Sequence, residues 1–507
     1  MLARVREDID MTIIAPGVQD RHRHFFIDGR WASPSSDETI DVDNSGTGEI
    51  FATVASASAE DVDRAIAAAR RAFDDGPWPQ MSHAERGGYL RAIAAEMDAR
   101  SNEFADTWSI ESGVVNASAR VIAGSLSGAY SYYAGLADSF AFEEQHEPKA
   151  GGNIGLLVRE PVGVVAAIVP WNSPARLMSY KCAPALLAGC TVIVKASPEA
   201  PCNVYLMAEI CEKVGLPPGV FNVITAHRDV SELLVRHADV DKVTFTGSTA
   251  AGRRIAAICG DRIARCTLEL GGKSAALVLD DYDVELAART IGAGATYLTG
   301  QACSALSRVL VSRHRHDAFV EALSAVFKAT RVGDPFAADT QMGPLATRHH
   351  RERVERYIAT GQAEGATLAA GGQRPAHLNR GYYVEPTVFG NVDNRATIAR
   401  EEIFGPVLAV VPVDSDDQMV AVANDSQFGL NASIFTPDSN RAYAVARQLR
   451  SGTVGHNAWR SDFSIAFGGF KQSGIGREGG VEGLLPFLET KTVVLDAMPD
   501  AAVVGQG

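Results

Sequence analysis

The chain is expected to be an α/β protein with two parallel-sheet domains, and three observations lead there. Its 507 residues exceed what one hydrophobic core encloses, so two or three domains are required. From about residue 162, short apolar runs alternate with segments of helical period, and a second such alternation starts near Arg308. Buried strands separated by helices form a parallel sheet covered on both faces. Two further extended, β-prone stretches, 141–160 and 490–495, belong to neither alternation.

In chain order, residues 1–24 are polar and of mixed charge. They match neither a secretory signal nor an acid-poor transit peptide and are expected to be a disordered lead. Residues 25–31, Phe-Phe-Ile-Asp-Gly-Arg-Trp, read as strand, turn and strand. Ser58 with Asp61, and Ser82 with Glu85, have the spacing of reciprocal N-terminal caps, each opening an Ala-rich helix. The runs 162–169, 191–194, 220–224, 243–246 and 266–270 are the strands of the first sheet, with helices over 203–214 and 250–259. Ligands on such sheets sit at the carboxyl ends of strands, where Pro170-Trp171-Asn172 and Thr246-Gly247-Ser248 fall. The second domain begins with a strand at 309–311 and a helix at 316–328, and ends in the glycine-rich stretch 467–479. The two outlying stretches are expected to pair with each other and across a subunit boundary, because strands without a sheet of their own find partners elsewhere.

Composition removes several classes of function. The net charge of -14 argues against a nucleic-acid partner, which would require clustered Lys and Arg. No run of about 18 apolar residues is present, so no membrane span is expected. The seven cysteines are scattered and contain no CxxC, which supports neither a zinc ribbon nor a disulfide ladder. Reduced thiols in a cytoplasmic protein are the expectation. The histidines, among them His22, His24, His314 and His316, lie in polar, Arg-rich surroundings and are expected to be solvated, with no metal site.

Two motifs imitate phosphate-binding loops. Gly474-x-Gly476-x-x-Gly479 matches the dinucleotide fingerprint, but no strand-turn-helix unit of the required kind is expected around it. Gly271-Gly272-Lys273-Ser274 resembles the end of a nucleotide-triphosphate loop, but Thr267 stands where that loop needs its first glycine. Thr246-Gly247-Ser248-Thr249 is better placed, at a strand end opening a helix, where free N–H groups suit a pyrophosphate or a plain cap. Cys303 in Gly300-Gln301-Ala302-Cys303 and Glu269 in Leu268-Glu269-Leu270-Gly271-Gly272 suggest a thiol nucleophile and a carboxylate base.

With Pro170-Trp171-Asn172, Lys195 at a strand end, Phe245-Thr246-Gly247-Ser248, Glu401-Glu402-Ile403-Phe404-Gly405-Pro406 and the 468–479 stretch, those two clusters make seven motifs in order. On them the chain resembles the aldehyde dehydrogenase superfamily from about residue 25 to 495. The resemblance implies a variant Rossmann-type cofactor domain without GxGxxG, a second α/β catalytic domain and a small β oligomerisation arm. It divides the chain into 25–140 and 161–270 for the NAD(P)-binding domain, 271–480 for the catalytic domain, and 141–160 with 481–507 for the arm and tail. Cys303 is then the nucleophile, Glu269 the general base, and Asn172 an oxyanion donor with the Cys303 N–H. Lys181 and Glu478 match proton-relay positions, although a buried ion pair explains them equally well. For the cofactor the resemblance assigns Ile168 and Trp171 to the groove, Lys195 to the adenine ribose, and Thr246, Gly247 and Ser248 to the pyrophosphate. Leu270 and Gly271 approach the nicotinamide through backbone, Glu402 its ribose and Phe404 its ring. Homodimers or homotetramers are implied.

One departure bears on the cofactor. Many NAD-preferring members carry Glu three residues after the ribose lysine, whereas here Pro198 fills that position and Glu199 follows it. Repulsion of a 2′-phosphate is expected to be weaker, so NAD is favoured with NADP still admissible. Family pocket positions correspond to Ser173, Arg176, Leu177, Tyr180, Ala302, Ser304, Asn457 and Phe463. With Trp459 they suggest apolar walls and a medium-sized hydrophobic or aromatic aldehyde; Arg176 selecting a carboxylated one is the alternative. Acyl transfer to coenzyme A, a thiol hydrolase without nicotinamide, and a non-catalytic protein of the same fold stay open as competing readings. Glu269, Glu402 with Phe404, and Cys303 respectively speak against them.

Overall fold

The computed structural model describes residues 21–499, so residues 1–20 of the expected lead lie outside the described residues. The first sheet has eight strands. In spatial order they are Gly474–Ile475, Arg265–Glu269, Lys242–Thr246, Val164–Ile168, Thr191–Ala196, Phe221–Thr225, Phe25–Ile27 and Arg30–Ala32. The five from Arg265–Glu269 to Phe221–Thr225 are parallel. The Phe25–Ala32 hairpin adds antiparallel through Phe26 and Val223. All residues of Val164–Ile168 and Thr191–Ala196 are buried, as strands covered on both faces must be. Leu186, Val194 and Met207 belong to the core on one side, Ile66, Ile193 and Ile255 to the core on the other. Chain order reverses between Val164–Ile168 and Lys242–Thr246, which opens a crevice beyond their carboxyl ends.

The second sheet runs Thr367–Ala370, Thr387–Gly390, Val407–Val413, Arg308–Ser312, Ala275–Val278, Asn431–Phe435, Thr453–His456. Only Thr367–Ala370 pairs antiparallel. The chain passes from Arg265–Glu269, in the first sheet, to the central Ala275–Val278 of the second through residues 270–274 alone.

Both anticipated capping boxes form, at Ser58/Asp61 and Ser82/Glu85, opening Ala59–Asp74 and His83–Ala99. Four helices and a hairpin were not anticipated: Ser101–Ser112, Asn116–Ala123, Ser127–Ser139, Pro174–Ala188, and Thr39–Asp43 with Ile50–Ala55. Their cores rest on small residues and tyrosines, such as Ala129, Tyr130 and Tyr133, so no aliphatic stripe marks them.

The outlying stretches do pair with each other. Leu488–Leu495 runs antiparallel along Ile154–Pro161, with Thr490 opposite Arg159, and Glu143–His146 flanks the other side. The pairing is made within one chain, and Leu488–Leu495 and Glu143–His146 form the two edges of this sheet.

Three expectations are corrected. Residues 21–24 are ordered, because the Tyr205 ring needs a cover: His22 is 2% exposed, its ring 5.1 Å from that of Tyr205. Its carbonyl accepts from the Ala55 N–H at 3.0 Å. His316 is also buried rather than solvated, its Nε2 accepting from the Asn391 N–H at 2.9 Å. Finally, 271–480 is not one contiguous block, since Gly474–Ile475 returns to the first sheet beside Arg265–Glu269. That strand is antiparallel and two residues long, so the 474–479 glycines are not part of a βαβ phosphate loop. Among the described residues no helix is long and apolar enough to cross a membrane, and no metal-ligating cluster occurs.

Candidate active site

Two cavities are lined by residues singled out by the motifs, Ile168, Lys195 and Ser248 in one and Asn172 and Cys303 in the other. The first, of ≈ 750 Å³, lies at the crevice where strand order reverses and is lined by Ile168, Lys195, Ser197, Glu199, Phe245, Ser248, Arg254 and Ile255 among others. Ile168, Phe245 and Ile255 supply apolar walls for a flat ring. Lys195 is 8% exposed, and burial pulls its ammonium down to about 8 against the opposing pull of Glu199. Ser248 caps the helix Thr249–Asp261, its hydroxyl accepting from the Ala251 N–H at 3.3 Å. The remaining free N–H groups at that helix start suit an anion. Apolar walls, one buried cation for ribose hydroxyls and a helix N-terminus for a pyrophosphate together fit a dinucleotide. Thr246 ends its strand, and the Gly247 N–H donates to the Glu269 carbonyl at 3.0 Å. The Glu199 carboxylate, one place after Pro198, lines the cavity and is hydrogen-bonded to the Ser197 hydroxyl. A bend after a proline lets the next side chain turn back. Two guanidiniums line the cavity, Arg228 and Arg254, and Arg254 is held bidentately by Glu232 at 2.9 and 3.1 Å.

The second cavity, of ≈ 470 Å³, is lined by Asn172, Ser173, Arg176, Leu177, Ala302, Cys303, Ser304, Trp459 and Phe463, together with Trp108, Tyr297, Leu298 and Phe467. Its walls are chiefly apolar. Asn172 is fixed from both ends: Nδ2 donates to the Gln301 carbonyl at 2.9 Å, and its own carbonyl accepts from Trp108 Nε1 at 2.8 Å. Gln301 in turn donates to the Ser112 carbonyl at 3.0 Å and accepts from the Ala346 N–H at 2.9 Å. The loop carrying Cys303 is thereby tied to the helix Ser101–Ser112. Burial pushes the Cys303 thiol up to about 12, with help from the Glu402 and Glu269 carboxylates, while the Ser304 and Cys303 backbone amides oppose this.

Glu269 is 1% exposed and neither carboxyl oxygen has a hydrogen-bond partner. Burial, then Glu478, push its pKa well above the usual carboxylate range, and Lys181 and Arg477 pull the other way. Lys181 and Glu478 form a buried ion pair. Glu402 accepts from the Gly272 N–H at 2.9 Å, and burial raises it to about 7. Gly271 leaves the space that Glu402 occupies, since a Cβ there would overlap that carboxylate. The Phe404 backbone lies in the left-handed region at φ 63°, its carbonyl is 2.6 Å from His350 Nε2, and its ring centroid is 5.4 Å from that of Trp171.

The family model described as the aldehyde dehydrogenase family matches residues 31–493. The chain belongs to the aldehyde dehydrogenase family. It is 41% identical over 475 residues to geranial dehydrogenase of Castellaniella defragrans, covering 94% of this chain and 99% of that protein. Betaine aldehyde dehydrogenase of Rhizobium leguminosarum is 40% identical, covering 94% and 97%. A crystal structure of Mycobacterium tuberculosis aldehyde dehydrogenase complexed with NAD+ superposes with a TM-score of 0.91 at 41% identity, covering 94% and 98%. As a member of this family the protein is an oxidoreductase that acts on aldehydes with a nicotinamide dinucleotide as acceptor.

Not every pocket position drawn from the family lines this aldehyde dehydrogenase's cavity. Asn457 turns away, its Oδ1 accepting from the Thr436 N–H at 3.0 Å and its Nδ2 donating to the Thr436 carbonyl at 2.9 Å. Tyr180 stands behind Phe463, ring centroids 4.3 Å apart, and Phe463 stacks on Phe467 at 4.2 Å. The Arg176 guanidinium lies 5.2 Å over the Phe463 ring. Residues missed from sequence include Trp108, Tyr297 and Phe467, which no local pattern marks.

Ser473 was also missed, and it holds the crossing at residues 270–274. Its buried hydroxyl donates to the Gly271 carbonyl at 2.7 Å and accepts from the Gly429 N–H at 2.9 Å, while its carbonyl accepts from the Leu270 N–H at 2.9 Å. Ser473→Ala leaves two buried backbone groups unpaired, so a loss of about 1–3 kcal/mol is expected. Urea unfolding measures it, and unchanged stability would contradict the role.

Proposed function

We propose that the protein oxidises a medium-sized apolar or aromatic aldehyde to the carboxylic acid with NAD, through a thioester on Cys303. The observation that carries this reading is the shared cavity: Cys303 and Asn172 both line one largely apolar pocket, and the unpartnered Glu269 carboxyl acts electrostatically on that sulfur. The Cys303 sulfur adds to the aldehyde carbon, and negative charge develops on oxygen. Asn172 Nδ2 has one N–H committed to Gln301; its second N–H and the Cys303 amide are the donors for that oxyanion. The bound nicotinamide supplies the hydride acceptor. Glu269 takes the thiol proton, because a thiol raised to about 12 ionises poorly at neutral pH without a base. In the second half Glu269 takes a proton from water, which attacks the thioester, and the acid leaves as the Cys303 sulfur is released. Lys181 and Glu478 sit in the same field and relay the proton away from Glu269.

Ile168, Trp171, Lys195, Thr246, Gly247, Ser248, Leu270, Gly271, Glu402 and Phe404 hold the dinucleotide. Glu199 beside Lys195 favours NAD over NADP by repelling a 2′-phosphate. Arg176, spread on the Phe463 ring, contributes its face to an apolar wall, which favours uncharged aldehydes over carboxylated ones. The open edges Leu488–Leu495 and Glu143–His146 suit pairing with a second copy in a homodimer or homotetramer. Buried free thiols at Cys182, Cys190, Cys202, Cys211 and Cys259 agree with a cytoplasmic setting.

Initial rates over aliphatic, aromatic and carboxylated aldehydes, followed as reduced cofactor with NAD and NADP, test the reading. Uncharged C6–C10-sized or aromatic aldehydes should give the highest kcat/KM; preference for a short dicarboxylic semialdehyde would overturn the substrate class. Cys303→Ala should lower kcat by more than about a thousandfold. Glu199→Gln should narrow the preference for NAD by roughly fivefold, the equivalent of about 1 kcal/mol of repulsion.

Since Glu269 must be ionised to accept a proton and its pKa is raised, kcat should climb with pH along a limb lying above the ordinary carboxylate range. Glu269→Gln should remove that limb and lower kcat by about 10²–10⁴-fold. A pH profile that is unchanged in this variant would assign the base elsewhere.

A further inference from the structure

A further small void is bounded by Lys273, Ser274, Arg308, Ala423, Asn431 and Ser451 among others, none of which lines either cavity. Four of its polar atoms are buried without a hydrogen-bond partner: Lys273 Nζ, Ser274 Oγ, Arg308 Nε and Asn431 Oδ1. Lys273 is 2% exposed and Arg308 1%, yet among the described residues neither makes a salt bridge. The Arg308 terminal nitrogens donate to Asn394 Oδ1 and the Val422 and Ala423 carbonyls, which satisfies hydrogen bonds but leaves the charge.

The surroundings add positive charge. Arg400 repels Arg308, and Lys471 feels Arg450, Arg308 and Arg400. Against these stand Asp425, already paired to Arg400 at 2.9 Å, and Glu401 and Glu402, which act on Lys273. In a chain of net charge -14 such a concentration of cations is not a consequence of composition. Arginine does not shed its proton in proteins, and an uncompensated buried cation is costly. The void measures ≈ 10 Å³, so it admits a single small particle.

We propose that this void binds one monatomic anion of the chloride class between Lys273 Nζ and Arg308 Nε, with the Ser274 hydroxyl as a third donor. Lys273 directly follows Gly272, whose N–H holds Glu402, so the anion braces the turn from the side opposite the cofactor cavity. Lys273 Nζ, Ser274 Oγ and Arg308 Nε are the unpartnered donors on residues lining the void.

Thermal unfolding of the full chain in sodium chloride against sodium gluconate at equal ionic strength tests the proposal, since gluconate is too large for the void. The midpoint should rise saturably with chloride, follow bromide in the same way and stay level in gluconate. Lys273→Met should abolish the chloride-dependent shift. A crystal grown in bromide should carry an anomalous peak between Lys273 and Arg308, a measurement that holds even if the variant folds poorly. Equal midpoints in the two salts, or a void filled by water alone with no anomalous signal, would overturn it.

Discussion

The crossing of the chain between its two sheets, over residues 270–274, is the constraint on which the site depends. Glu269 closes a strand of the first sheet, and Ala275 opens the central strand of the second. At its middle there is no room for side chains: a Cβ on Gly271 would overlap the Glu402 carboxylate, and one on Gly272 would overlap the Cys303 carbonyl. The base, the Glu402 loop and the loop bearing the thiol are therefore registered against one short stretch of backbone. Two adjacent glycines serve close approach here rather than a left-handed turn, and neither is in the positive-φ region.

Because the crossing is so tight, its backbone polar groups must be paired by whatever comes from outside. Ser473 does this for Leu270, Gly271 and Gly429 together. That explains the shape of the glycine-rich return strand: Gly474 lies against the Leu268 carbonyl, where a Cβ has no space, and takes an extended positive φ of 155°. What looks in sequence like a phosphate fingerprint is a close-packed splint on the edge of the cofactor sheet.

Legibility in the sequence followed the kind of physics involved. Strands buried on both faces, such as Val164–Ile168, announce themselves by composition, and the reciprocal caps at Ser58 and Ser82 by spacing. Cys303, Glu269 and Asn172 were legible because their motifs are local. Contacts made across long separations were not. Trp108 reaches the Asn172 carbonyl from 64 residues away, and Tyr133 reaches the Gly480 carbonyl from 347. Asn457 was misjudged because its orientation is set by Thr436. His22 was taken as solvated from its charged neighbours, whereas the Tyr205 ring it covers lies far along the chain.

The electrostatics of the site follow from the same packing. Glu269, Glu402 and Glu478 are buried close to the turn, and the Lys181 ammonium, paired with Glu478, is the buried cation that acts on Glu269. Burial strips water from the charged form, so Glu269 and Glu402 are displaced upward and the Cys303 thiol with them, Glu478 adding to the rise of Glu269 and the Glu402 and Glu269 carboxylates to that of the thiol. A solvated arrangement would leave the carboxylates ionised but would lose the basicity that makes Glu269 able to draw a proton from water or thiol.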